Sequence, residues 1–152
     1  MMSKVMKRMG KEEKGFTLIE LLAVIVIMAI IAVIAIPMIG NVINKSKANG
    51  DLATASQVYN AARLYVIGEK NGDFTTAANR TVTLANMVDG GYLNADTSLP
   101  SSKAKLTAAT VIFTDKGELT SVTLAPVGQG SNNGTYTAAQ VLSATPATPA
   151  TN

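Results

Sequence analysis

Lys14-Gly15-Phe16-Thr17-Leu18-Ile19-Glu20-Leu21-Leu22 opens a run in which every residue from Leu21 to Ile39 is apolar, with Pro37 the one helix breaker. At about 1.5 Å per residue such a helix crosses the ~30 Å hydrocarbon layer of a bilayer. It is apolar on all faces, whereas a surface helix of a small soluble domain has one apolar stripe. A wholly buried core helix is the alternative, and the length of the run argues against it.

Charge orients the span. Lys4, Lys7, Arg8, Lys11 and Lys14 precede it, while only Lys45 and Lys47 follow closely. The positive-inside rule keeps residues 1–15 cytoplasmic and sends the rest across the membrane. Those fifteen residues hold five basic groups against two acidic ones, and residues 16–152 hold eight of each. All the net basicity therefore lies in the first segment, and no direct nucleic-acid site is evident beyond it. An ordinary secretory signal carries a small-residue cleavage site after its apolar stretch. Gly40-Asn41-Val42-Ile43-Asn44-Lys45 is a poor one.

The sequence before the run, Gly15-Phe16-Thr17-Leu18-Ile19-Glu20, resembles the class III leader of type IV pilins and pseudopilins. The resemblance covers the leader and the first helix only. It implies that a membrane-bound prepilin peptidase cuts between Gly15 and Phe16 and that Phe16 is N-methylated. Glu20 is the fifth residue counted from Phe16, where the family places an acidic residue. In the family reading it pairs with the Phe16 amine of a neighbouring subunit. Pro37 stands where many family members have a helix-kinking proline, and Gly40, three residues later, weakens the same stretch by itself. A carboxylate at the rim of an apolar helix is costly and usually has a partner, and an unmatched one in a dry bundle would disfavour wrong registers. A lone carboxylate reaching headgroup water is the simpler alternative for Glu20. A plain kink at the membrane edge is as good a reading of Pro37 as local melting for packing.

The further implications are a homo-oligomeric helical filament, an assembly platform with its ATPase, and lipid contact before assembly. The precursor would be single-pass with its C-terminus outside, and the assembled form extracellular. The expected role is a structural pilus subunit. A pseudopilin of a competence or type II secretion system shares every N-terminal feature. A membrane-anchored binding protein that never polymerises is a third reading.

Composition bears on chemistry. With no His and no Cys, the chain has no imidazole base, thiol nucleophile, thiolate metal site or disulfide. No catalytic constellation, metal site or cofactor is expected. Asp73, Asp89, Asp96 and Asp115 are dispersed beside turn residues, a structural role for Asp. Tyr59 and Tyr65 read as core or subunit contacts. Asn79-Arg80-Thr81 and Asn133-Gly134-Thr135 match the glycosylation sequon by chance.

Beyond the span the period changes. Ile39, Val42, Ile43, Leu52, Ala55, Val58, Tyr59, Ala62 and Val66 recur mostly at three- and four-residue steps, as on an amphipathic continuation of the same helix. Asn49-Gly50-Asp51 is its weak point. A helix from Phe16 to Ile67 would be about 78 Å long, too long for the remaining residues to enclose. Thr83 is placed to cap a short helix over 84–89, stopped by Gly90-Gly91. Val111–Thr114 and Leu119–Leu124, joined by Asp115–Glu118, predict a β-hairpin. A further strand is expected around Lys103–Ala108. Residues 136–142 read equally as a strand or a short helix.

The expected fold is α+β: a long helix whose polar half packs against a small antiparallel sheet, as in the type IV pilin fold. The expected segments are a leader (1–15), a span (16–39), an amphipathic half-helix (40–67), a globular head (68–143) and an Ala/Thr/Pro tail (144–152).

Overall fold

The computed structural model describes residue 15 and residues 17–145. The expected leader and tail therefore lie outside the described residues, apart from Gly15, Ala144 and Thr145. Residues group into two compact units, one up to Gly40 and one from Asn41. Helix α1, Leu18–Glu69, contributes to both and continues through Pro37, Gly40 and Gly50.

In the first unit almost every side chain of α1 is exposed. Ile25, Ile30 and Ile36 are typical, and this stretch is long and apolar enough to cross a membrane. In the second unit α1 buries one face. Leu52, Ala55, Val58, Ala62 and Val66 line it at three- and four-residue steps, with Ala48 and Ala61 beside them. Burying a Val or Leu contributes about 1.5–3 kcal/mol, so this face anchors the core. Of the stripe expected from periodicity, Ile39, Val42 and Ile43 are exposed instead. The period persists there, but no protein covers it.

The helix does not bend apart at Asn49-Gly50-Asp51. Gly50 serves close approach instead: a Cβ there would stand 2.9 Å from the Pro100 ring. After Glu69 the amide of Gly72 donates back to the Val66 carbonyl at 3.0 Å, closing the helix end.

A four-stranded antiparallel sheet, in the order β1-β2-β3-β4, packs on this face. Its strands are β1 (Thr81–Thr83), β2 (Ala108–Phe113), β3 (Leu119–Ala125) and β4 (Thr135–Thr137). The central hairpin pairs Ala108 with Ala125 through Ile112 with Ser121, and a bulge then shifts Phe113 onto Leu119. Val82, Val111, Val122, Leu124 and Tyr136 face the helix and are buried. Phe113 stacks with Phe74 at 5.1 Å and with Tyr59 at 6.0 Å.

Helices α2 (Leu84–Asp89) and α3 (Ala138–Ser143) follow β1 and β4 directly. Thr83 and Thr137 end their strands and cap these helices, each in a reciprocal capping box, with Asn86 and Gln140 respectively. Thus both readings of residues 136–142 are present, strand first and helix after it.

The strand expected around Lys103–Ala108 is corrected. Residues 97–106 form a tight loop with one bridge, Ser98 to Lys105, and strand β2 begins only at Ala108. Leu99 and Leu106 plug the core, and Lys103 at φ 56° reverses the chain between them. Asp73 does hold a turn: its carboxylate accepts from the amides and hydroxyls of Thr75 and Thr76.

Candidate functional site

The functional candidates lie at the start of α1. Gly15 is exposed and outside regular structure. Phe16 lies outside the described residues, so the expected cleavage, its N-methylation and its pairing with Glu20 have no geometry here. Glu20 does.

Thr17 and Glu20 form a reciprocal pair. The Thr17 amide donates to Glu20 Oε2 at 2.7 Å, and the Thr17 hydroxyl donates to the same oxygen at 2.9 Å. The Glu20 amide donates to Thr17 Oγ1 at 3.3 Å, while the Thr17 carbonyl accepts from Leu21 at 3.1 Å. This is the T-x-x-E capping box, which satisfies donors a helix start otherwise leaves open. The point matters more at an apolar surface, where water cannot complete the set. Thr17 is the residue that sequence reasoning missed. Its signal was the three-residue spacing to Glu20 just before an apolar run.

Pro37 and Gly40 are both exposed and lie within the unbroken helix. Pro37 has no amide proton, so the Val33 carbonyl loses its usual intrahelical donor. Nothing stands within 4 Å of a Cβ placed on Gly40. The structure brings Glu20 to Thr17 but does not bring Pro37 or Gly40 to it; they sit more than four helical turns along.

Among the described residues α1 is the one helix long and apolar enough to cross a membrane, and it carries a capped carboxylate at its start. The family model described as the prokaryotic N-terminal methylation motif matches residues 10–36. No curated protein and no solved structure matches the chain. The N-terminal motif is similar to that of type IV pilins and pseudopilins, and the long apolar helix with the four-stranded antiparallel sheet fits the type IV pilin fold.

Proposed function

We propose that the chain is the structural subunit of a type IV pilus, processed between Gly15 and Phe16 and polymerised through the apolar part of α1. The observation that carries this reading is the methylation motif over residues 10–36 running directly into an unburied apolar helix. Lipid covers that helix in the precursor, and other copies of the chain cover it in the filament. Lipid is as apolar as the helix, so close packing and polar pairing must drive the exchange, not water expulsion. Prepilin peptidase and an assembly platform with its ATPase are the partners this route requires. Glu20 supplies the polar pairing, with the Phe16 amine of a neighbouring copy, and Pro37 and Gly40 form the kink that lets helices pack.

Intact-mass analysis or N-terminal sequencing of the protein from cells tests the processing step. A methylated Phe16 start is expected, and retention of Met1 would sink the proposal. Glu20→Ala is expected to insert in the membrane normally yet yield no filaments, read by membrane fractionation and electron microscopy. The motif serves pseudopilins equally. Filaments recovered from the medium after shearing favour the pilus, and their absence with loss of DNA uptake or secretion favours a pseudopilus.

A further inference from the structure

The sequence holds three Asn-Gly steps, Asn49-Gly50, Asn71-Gly72 and Asn133-Gly134. Such a step is chemically weak, because glycine has no side chain to shield its amide nitrogen from the asparagine carboxamide beside it. Attack by that nitrogen requires the peptide plane between the two residues to turn, and any hydrogen bond holding the plane must first break. The fold treats the three steps differently.

Asn49-Gly50 lies inside α1, where the backbone belongs to the helical ladder and the Gly50 carbonyl also accepts from the Thr54 hydroxyl at 3.2 Å. Asn133 and Gly134, at φ 50° and 85°, form a two-residue turn closed by both bonds between Asn132 and Thr135, at 2.9 and 3.0 Å. Gly134 is buried, its amide donates to Ser131 Oγ at 3.0 Å and its carbonyl accepts the Leu124 amide at 2.9 Å. Turning that plane would open the hairpin end.

Asn71 and Gly72, at φ 52° and 71°, lie just past the end of α1, where helices fray. Asn71 is exposed, and nothing stands within 4 Å of a Cβ placed on Gly72. The Gly72 amide donates to the Val66 carbonyl at 3.0 Å, and the Asp73 amide closes the turn onto the Lys70 carbonyl at 2.9 Å. Two bonds at a helix end thus guard this step, against four around Asn133.

We propose that Asn71 is a site of spontaneous deamidation, and the one of the three Asn-Gly steps that reacts in the folded chain. The Gly72 nitrogen bonds to Cγ of Asn71 and gives up its proton, and the side-chain nitrogen leaves as ammonia. Solvent water then opens the cyclic imide. Attack at Cγ yields aspartate, and attack at the main-chain carbonyl yields isoaspartate. Either product places a carboxylate close to Glu69 at the negative end of the α1 dipole, and isoaspartate also adds a backbone carbon to the turn. The last turn of α1 is thereby loosened. The inference goes beyond the filament reading and does not depend on it, because the reaction needs one chain and water.

The test is peptide mapping by mass spectrometry of the full chain in detergent during incubation in mildly alkaline buffer. Product is read as the mass gain of a carboxyl over a carboxamide. The same incubation in guanidinium supplies the intrinsic rate of each step, to which the rate in the folded chain is referred. Asn71 should keep at least about tenfold more of its denatured-state rate than Asn49 or Asn133, since two extra hydrogen bonds guard the Asn133 step and the helix interior guards the other. The inference is overturned if Asn49 or Asn133 keeps as large a share of its denatured-state rate as Asn71. It is equally overturned if Asn71 stays intact in the folded chain while the denatured chain reacts there. Asn71→Gln lengthens the side chain beyond the five-membered ring and should remove the early product, whose persistence would also overturn the assignment.

Discussion

Asp51 is buried without exposure in the face of α1 that carries the core. One carboxylate oxygen accepts the Ser101 amide at 2.9 Å and the other accepts the Gln129 amide at 2.7 Å. A single side chain thus holds two loops on the helix. Asp51→Ala strips both amides of their acceptor and leaves a void, and should cost about 2–4 kcal/mol in denaturant unfolding of the detergent-solubilised chain. Tyr136 lies next to this node and donates to the Gln129 carbonyl at 2.9 Å. Burial, and then the charge of Asp51, push the Tyr136 hydroxyl up to about 12 from 10.0. The folded chain therefore favours the neutral phenol. Its contribution to stability is complete below pH 10 and is lost as pH rises toward 12. An alkaline titration followed by tyrosinate absorbance should show late steps, because burial and the neighbouring Glu69 also raise Tyr92, and Tyr136→Phe should remove one of them. None of this was legible in the sequence. Asn49-Gly50-Asp51 reads locally as a bend, and the partners that bury Asp51 lie far away along the chain.

At the scale of elements, reading succeeded where a signal is local. Thr83 before Leu84, with Gly90-Gly91 after Asp89, marks α2 by its cap and stop, and the structure places the helix there. Thr83→Ala should cost about 1 kcal/mol through the lost cap, measured by chemical denaturation. The central hairpin was legible for the same reason, since β-branched residues flank a turn rich in Asp and Gly. Strand β1 was not, and β4 stayed undecided between strand and helix, because three residues are too few to display an alternation. The loop over 97–106 misled because Lys103-Ala104-Lys105-Leu106 alternates polar and apolar as a strand does, while the backbone reverses at Lys103. Gly134 belongs at this scale too. It sits at φ +85°, and an added Cβ would stand 2.8 Å from the Leu124 carbonyl oxygen. Gly134→Ala combines strain with collision against backbone, so it should lower the unfolding midpoint by more than the ~1 kcal/mol typical of a simple Gly-to-Ala mismatch.

At the scale of the molecule, the class was legible because the bilayer imposes a length and a polarity that few soluble helices meet. The carboxylate in Gly15-Phe16-Thr17-Leu18-Ile19-Glu20 was equally plain as a residue out of place. Its bond to Thr17 was not, since a carboxylate beside an apolar run fits a partner in another chain as well as one three residues away. Two units also imply a division of solubility. A chain beginning at Asn41 keeps the whole buried cluster and should stay monomeric in buffer by size-exclusion chromatography, whereas the full chain should require detergent. Aggregation of the shorter chain without detergent would count against that division.

The sheet ends in two strands of three residues each, and each runs at once into a helix. Short borders of this kind offer almost no template on which a stray strand could dock. If many copies crowd one membrane, as the proposed function requires, the sheet edges would add little danger of amyloid-like growth. On the filament reading proposed above, self-association is left to the greasy rod, so orderly stacking and misfolded clumping would not compete for the same surface.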